Sequence, residues 1–221
     1  MTPKEILSHV DHTLLGVTAT GAEFIQLCDE GLHFGVASVC VPPSRVKLCA
    51  DHVAGKLAVC TVVGFPNGYA DSEAKAREVE VALRAGAVEI DMVIDIGKAK
   101  EGDFAAVLAD IKKVRAATGT HILKVIIETA LLTEAEKIKL CEVVGQSGAD
   151  YIKTSTGFAQ GGATFEDVAL LRKHSPAHVK VKAAGGIASM EDARRFIELG
   201  ADRLGTSRIV KIVQGLEGAG Y

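Results

Sequence analysis

The chain has 221 residues, of which 48% are hydrophobic and 24% are charged, and its formal net charge at pH 7 is −3. This balance excludes the basic surface that nucleic acids require and the polybasic arm that binds membranes, so we expect a small-molecule partner. The sequence contains no run of 18 apolar residues and no apolar leader with a cleavage site, and we therefore expect a cytoplasmic protein without a membrane partner.

Eight short β-rich segments alternate with longer amphipathic segments along the chain. The predicted strands cover residues 9–14, 36–41, 56–63, 87–93, 121–128, 150–154, 178–184 and 202–206. In the runs 72–86 and 134–148, apolar residues return every three or four positions, which is typical of helices that bury one face. Four helices are predicted to begin after an N-cap, namely Ser72, Thr133, Thr164 and Ser189.

The alternation of strands and helices predicts an α/β fold with a parallel sheet covered by helices. Eight repeats fit a single-domain (β/α)8 TIM barrel over residues 1–221, with a flexible C-terminal tail from about residue 215. An open, doubly wound sheet is the alternative. No GxGxxG motif follows the first predicted strand, which makes this alternative less favourable.

The cysteines and histidines do not indicate a metal site. The chain has five cysteines, an odd number without CxxC spacing: Cys28, Cys40, Cys49, Cys60 and Cys141. We expect these to be reduced, buried thiols, not disulfides or zinc ligands. His9 and His12 form an HxxH pair, but no further ligands follow at a suitable spacing. We therefore predict no metal and no cofactor.

Charged side chains alternate with apolar ones in four of the predicted strands. Successive side chains of a strand point to opposite sides, and the apolar set must face the covering helices. The charged set is then expected inside the barrel: Glu89, Asp91, Lys124, Glu128, Lys153, Lys180 and Lys182. For Glu89, Lys124 and Lys180, ion pairs that only satisfy one another are the alternative interpretation.

Lys153, Lys182 and Asp91 lie at or near the carboxyl ends of their strands, where such barrels build their sites. A lysine amine is a nucleophile only when it is neutral, whereas its ordinary pKa is about 10.4. A second ammonium close by disfavours the charge, so one lysine of a neighbouring pair can lower the pKa of the other. The neutral amine would form a Schiff base with a carbonyl, and Asp91 would transfer protons. This combination predicts an aldolase that needs no metal.

Two glycine-containing loops after the last predicted strands suit an anion. They run through AAGGIASMED and LGTSRIV, in which Gly185, Gly186, Gly205, Thr206 and Ser207 offer amides or hydroxyls near helix starts. The loops after the last two strands are the usual phosphate site of this fold. For the glycine pair, a tight turn alone is the alternative interpretation.

Seven sequence strings together resemble the deoxyribose-phosphate aldolase family in order and spacing, from Val10 to about Val210. They are VDHTLL, GFPNG, EIDMVI, LKVIIET, IKTSTGF, VKAAGGI and LGTSR, of which IKTSTGF and VKAAGGI are the most specific. The resemblance implies reversible cleavage of 2-deoxy-D-ribose 5-phosphate to D-glyceraldehyde 3-phosphate and acetaldehyde. It also implies that Lys153 forms the Schiff base, Lys182 tunes it and Asp91 belongs to the proton relay.

The resemblance further implies roles for residues around this centre. Gly157 would join the phosphate-binding residues above, Thr156 would assist, and Asp11 would position a substrate hydroxyl. Some family members use a C-terminal tyrosine in proton transfer, which would be Tyr221 here, with a disordered end as the alternative. Phe158 stands where some members have a phosphate-binding lysine, and Arg208 is a possible replacement for that charge.

Two other functions remain possible at this point. A phosphosugar isomerase on the same barrel would use carboxylates or histidines at the positions of the two lysines. A non-catalytic phosphosugar-binding protein would need the glycine loops but not the lysines. The expected partner is in each case a phosphorylated sugar, and we expect a homo-oligomer, either a dimer or a tetramer.

Overall fold

A computed structural model describes residues 1–215, so Tyr221 and the tail predicted from about residue 215 lie almost wholly outside the described residues. In this part of the chain, eight parallel strands close into a barrel in chain order, and the last strand pairs with the first. The strands are β1 (Val10–Thr13), β2 (Ser38–Val41), β3 (Ala58–Val63), β4 (Glu89–Val93), β5 (Ile122–Ile126), β6 (Tyr151–Lys153), β7 (Lys180–Ala184) and β8 (Arg203–Thr206). The predicted (β/α)8 barrel is confirmed, and the open-sheet alternative is wrong.

Helices precede β1, connect successive strands and follow β8. They are α1 (Pro3–Leu7), α2 (Gly21–Phe34), α3 (Val46–Val53), α4 (Ser72–Arg84), α5 (Ile96–Lys100), α6 (Phe104–Thr118), α7 (Glu134–Ser147), α8 (Phe165–His174), α9 (Met190–Glu198) and α10 (Ile209–Val213). The 72–86 and 134–148 runs thus form helices, as predicted. Short 3-10 helices cover Pro43–Arg45 and Thr129–Leu131.

Three of the four predicted N-caps are confirmed. The side chains of Thr133, Thr164 and Ser189 accept hydrogen bonds from the first-turn amides of their helices. The prediction for Ser72 is wrong, because Asp71 caps α4 by accepting from the amide of Glu73. The Ser72 hydroxyl instead donates to Asp110 Oδ1 at 2.7 Å. This contact with α6 is not visible in the local sequence.

The apolar set of strand residues lies between the barrel and its helices. Ile90, Val125, Ile152 and Val181 are buried in one continuous core there. The alternate residues face inward and align across the sheet, since neighbouring parallel strands point side chains the same way at paired positions. Lys153 is paired with Lys182, and Asp91 with Lys124. The register thus places the charged residues side by side.

Two members of the predicted interior set lie elsewhere. Lys180 is the first residue of β7 and is exposed, with Nζ 5.7 Å from the centre of the Tyr151 ring, so its predicted place in the charged interior is wrong. Glu128 is buried, but it lies beyond the end of β5 with φ 56° and contacts the loop after β6. Strand alternation stops where the strand ends, which explains the second error.

The cysteines agree with the sequence prediction, since all five are buried and free. Within residues 1–215, we find no helix with the length and apolar character needed to cross a membrane.

Candidate active site

Asp91 on β4 is at the centre of a buried group of ion pairs inside the barrel. Its Oδ2 accepts hydrogen bonds from Lys153 Nζ and Lys182 Nζ, both at 2.8 Å. Its Oδ1 accepts from Lys124 Nζ at 2.9 Å. The three residues predicted to carry the chemistry, Lys153, Lys182 and Asp91, are therefore in direct contact.

Asp11 and Glu89 extend this group around the barrel. Lys182 Nζ is 2.5 Å from Asp11 Oδ2, and Lys124 Nζ is 2.6 Å from Glu89 Oε2. Arg203 on β8 donates to both Asp11 and Glu89. The described cluster thus contains three carboxylates and four basic side chains: Asp11, Glu89 and Asp91 with Lys124, Lys153, Lys182 and Arg203. Full ionisation would leave one excess positive charge.

The surroundings of Lys182 and the carboxylates favour their charged forms. Burial alone would lower the pKa of Lys182, but Asp11 and Asp91 outweigh it and raise this pKa above its ordinary value. Burial alone would raise the pKa of Asp91, yet Lys124, Lys153 and Lys182 hold it well below the ordinary range. Nearby cations likewise lower the pKa of Asp11 despite its burial. Lys182 therefore stays an ammonium ion beside Lys153.

Lys153 differs from the other basic residues of the cluster in its access to a cavity. It is the last residue of β6 and is 3% exposed, and it lines a cavity of about 130 Å³ at the carboxyl end of the barrel. Lys182 and Asp91 are fully buried and do not line this cavity. An aldehyde that entered the cavity would meet the Lys153 amine first.

The predicted phosphate-binding residues line this same cavity. They are Thr156, Gly157, Gly185, Gly186, Gly205, Thr206 and Ser207, and Arg208 joins them. Gly157, Gly185 and Gly186 have φ values of 83°, 76° and 75°, which favour glycine. The backbone amides of Gly157, Gly186 and Ser207 donate no hydrogen bond to any residue among 1–215. Backbone amides left free in turns suit an anion.

Gly205 has a second reason to lack a side chain. A Cβ at this position would lie 3.0 Å from Ala184 Cβ and 3.1 Å from Lys182 Cε. The absence of a Cβ at residue 205 therefore leaves room for the Lys182 side chain. This role of Gly205 was not predicted from the sequence.

Thr156 lines the cavity, but its hydroxyl hydrogen already has an acceptor. Oγ1 donates to Glu128 Oε2 at 2.5 Å and accepts from the Phe158 amide at 3.0 Å. The hydroxyl is thus not available to donate to a ligand while this bond is present. Phe158, at the position of the family's lysine, packs edge-to-face against Phe65 with ring centres 5.2 Å apart.

The structure shows three further residues in contact with the charged cluster that were not predicted from the sequence. Arg203 is one of them, and Ser38 is another, since its hydroxyl donates to Asp11 at 2.7 Å. Arg203 precedes Gly205 by two residues on β8, so strand alternation could have placed it on the same side. Cys60 is the third, with its thiol donating to Asp91 Oδ1 at 3.2 Å.

Cys40, Cys60 and Asp91 place possible metal-ligand atoms within 4.8 Å of one another. This set does not fit a metal ion, because both oxygens of Asp91 already accept hydrogen bonds from ammonium groups. The two histidines of the HxxH pair have separate partners. His12 Nε2 lies 2.8 Å from Glu30 Oε2, and His9 Nδ1 lies 2.9 Å from the Asp202 carbonyl oxygen. The absence of a metal remains a prediction.

Comparison with known proteins places this chain among aldolases. The family model for DeoC/LacD family aldolases matches residues 6–213. The deoxyribose-phosphate aldolases of Streptococcus pyogenes serotype M4 and Streptococcus agalactiae serotype Ia are each 56% identical over 214 residues, which cover 97% of this chain and 96% of each relative.

Solved structures with a similar fold also include deoxyribose-phosphate aldolases. The tetrameric deoxyribose phosphate aldolase of Aeropyrum pernix has a TM-score of 0.87 and 31% identity, with 97% of this chain and 92% of that chain covered. A candidate deoxyribose-phosphate aldolase from Coccidioides immitis has a TM-score of 0.93 and 39% identity, with 97% and 87% covered. The chain therefore belongs to the DeoC/LacD family of aldolases, as one of its deoxyribose-phosphate aldolases.

Proposed function

We propose that this chain reversibly cleaves 2-deoxy-D-ribose 5-phosphate to D-glyceraldehyde 3-phosphate and acetaldehyde through a lysine Schiff base. One observation carries the proposal: the cavity that Lys153 lines is also bordered by the free amides of Gly157, Gly186 and Ser207. An aldehyde-binding amine and an anion site thus share one small space, which suits a phosphorylated aldehyde or sugar.

Lys153 is the proposed nucleophile. Its neutral amine adds to the C1 carbonyl carbon, and uptake of one proton with loss of water gives the cationic imine. Deprotonation of the C3 hydroxyl, which becomes the aldehyde oxygen of the product, then breaks the bond between C2 and C3 of the open-chain sugar. Its electrons move to the imine nitrogen, D-glyceraldehyde 3-phosphate leaves, and the remaining enamine is protonated at C2. Water finally releases acetaldehyde and the free amine.

Charge balance supports Lys153 as the amine that becomes neutral. With Lys153 uncharged, three carboxylates face three cations in the described cluster. Lys182 has two carboxylate partners, Asp11 and Asp91, whereas Lys153 has only Asp91. Lys182 is the proposed permanent cation. Asp91 Oδ2 accepts from both amines and so lies on the shortest path for a proton between them.

The remaining roles follow from position. Gly157, Gly185, Gly186, Gly205, Thr206 and Ser207 are the proposed phosphate-binding residues, and Arg208 could supply the charge that Phe158 lacks. Asp11 is fully buried and contacts Lys182, so it would act on a substrate hydroxyl through this residue. The role of Tyr221 in proton transfer stays a prediction, because this residue lies outside residues 1–215.

The test is borohydride reduction in the presence of 2-deoxy-D-ribose 5-phosphate, followed by mass spectrometry of the peptides. We expect one reduced adduct on Lys153 and none in Lys153→Ala, which should still bind inorganic phosphate. Lys180→Ala is the matched control on the neighbouring strand and should be trapped like the unmodified protein. A folded protein that traps no adduct, or traps it on another lysine, would contradict the mechanism.

Metal independence has its own test. Activity should survive a chelator such as EDTA, and its loss with recovery on adding zinc would identify a zinc-dependent aldolase instead.

We also infer a homo-oligomer, a dimer or a tetramer, since the Aeropyrum pernix relative is tetrameric. Light scattering should give two or four times the chain mass of 23.1 kDa, whereas a monomer mass would contradict this inference.

The net charge of −3 supports the absence of a nucleic-acid partner. Five free thiols suit the reducing cytoplasm, which cell fractionation can test.

A further inference from the structure

Glu128 is a buried acid in an unusual backbone conformation at the edge of the site. It is 1% exposed and has φ 56°, a value that costs free energy in a residue with a Cβ. Among the described residues, Ala54 is the only other non-glycine residue with positive φ. Such strain persists where the surroundings hold the residue in place.

Within residues 1–215, the hydrogen bonds that hold the Glu128 carboxylate all come from Thr156. The Thr156 amide lies 3.2 Å from Oε2 and 3.3 Å from Oε1, and its hydroxyl lies 2.5 Å from Oε2. The Thr156 hydroxyl in turn accepts from the Phe158 amide. The Glu128 carboxylate therefore holds Thr156 directly and Phe158 through the Thr156 hydroxyl. These two residues flank Gly157.

The backbone next to Glu128 is tied to the strand that ends at Lys153. The Ile127 amide donates to the Lys153 carbonyl at 3.0 Å, and the Thr129 amide donates to the Thr154 carbonyl at 2.9 Å. These bonds fix Glu128 relative to the end of β6. The left-handed turn then directs its carboxylate to Thr156.

This arrangement leaves one amide of the loop for the cavity. The amides of Thr156 and Phe158 are used within the loop, whereas the Gly157 amide donates to no described residue. A Cβ on Gly185 would lie 3.6 Å from Gly157 Cα, so the two glycines are close neighbours in the cavity lining. The position of the Gly157 amide thus depends on Glu128 through Thr156.

We propose that Glu128 is a positioning residue for phosphate recognition. It fixes the position of the Gly157 amide by holding Thr156. This proposal rests on the proposed function. Glu128 acts through Thr156 and takes no part in the bond-breaking steps. Its negative charge makes the bonds to the Thr156 amide and hydroxyl stronger than a neutral acceptor would.

The test compares Glu128→Ala and Glu128→Gln with the unmodified protein in three measurements. These are KM for 2-deoxy-D-ribose 5-phosphate, the inhibition constant of inorganic phosphate, and the rate of borohydride trapping with acetaldehyde, which has no phosphate. For Glu128→Ala we expect both constants to rise about 10-fold, as for the loss of a hydrogen bond to a charged group. The trapping rate should stay unchanged.

Two further variants sharpen the comparison. Glu128→Gln keeps one acceptor oxygen, so its two constants should lie between those of the unmodified protein and those of Glu128→Ala. This variant provides the test if Glu128→Ala does not fold. Thr156→Val removes the hydroxyl, should raise both constants, and should add little in combination with Glu128→Ala. Glu134→Gln is the charge-matched control, because Glu134 is exposed in the first turn of α7.

Unchanged constants in folded Glu128→Ala, or a trapping rate that falls as much as the constants rise, would overturn the positioning role. Failure of the proposed function looks different, because the unmodified protein itself would then show no adduct on Lys153.

Discussion

Lys153 and Lys182 are the same residue type at paired positions of adjacent strands, yet their surroundings differ. Lys182 is fully buried between Asp11 and Asp91, whereas Lys153 contacts Asp91 and lines the cavity. Opposite charges nearby favour the ammonium form, so Lys182 is the lysine more firmly held in that form. The difference in partners gives each lysine a distinct proposed role.

Lys182→Met should separate these roles. The substitution keeps a long side chain but removes the cation beside Lys153, and it leaves Asp11 and Asp91 each without one partner. We expect kcat/KM to fall by at least about 100-fold, as for the loss of a preorganised charge in an active site. Removing one partner of a buried ion pair should also lower the free energy of unfolding by about 3–5 kcal/mol.

Steady-state kinetics and urea unfolding measure these two effects. Lys180→Met is the control, because this lysine is exposed on the same strand. A Lys182→Met enzyme with nearly full activity would show that Lys153 does not need a cationic neighbour.

At the scale of elements, the approach of β7 and β8 determines the space available to Lys182. Gly205 on β8 is close to Ala184 and to the Lys182 side chain on β7, as the distances to a hypothetical Cβ show. A side chain at this position would therefore disturb the strand that carries Lys182.

Gly205→Ala should lower both catalytic activity and stability. The added methyl group should cost about 1–3 kcal/mol of stability through overpacking. Displacement of Lys182 by a fraction of an ångström should lower kcat by about 10- to 100-fold. Kinetics and thermal unfolding of the same preparation test this pair of effects.

Gly16→Ala provides the control for this substitution, because a Cβ at Gly16 would meet no atom of the described residues within 4 Å beyond its chain neighbours. Equal losses of activity in the two variants would contradict a specific effect on Lys182.

At the scale of the whole molecule, the barrel combines an apolar outer core with a charged centre. The buried carboxylates Asp11 and Asp91 are stabilised as anions by cations from other strands. Their pKa values are below the unfolded value of about 3.9, so their contribution to stability is fully present above that pH. It is lost as the pH falls through the lower pKa values of the folded state.

We therefore expect the free energy of unfolding to fall as the pH decreases below about 4. Urea unfolding at a series of pH values should show a decreasing midpoint below this pH. Asp91→Asn, which cannot ionise at this position, should be less stable near neutral pH and should show a weaker decrease in acid. A midpoint that rises on acidification would contradict the assignment of these carboxylates as anions in the folded protein.

The sequence alone determined the eight strands, the barrel and the side of each strand that carries Asp91, Lys153 and Lys182. Side-chain alternation is a local property of extended backbone, so it can be followed without knowing the fold. The position of Lys153 at the end of its strand also follows from the local pattern.

Only the tertiary structure decided how deep each residue lies along the barrel and which partners it meets. Strand alternation gives a side but not a depth, which is why Lys180 was wrongly placed in the interior. The contact of Asp11 with Arg203 joins residues 192 positions apart and exists only because the barrel closes. Glu128 reaches Thr156 only because the backbone turns after β5, beyond the reach of strand periodicity.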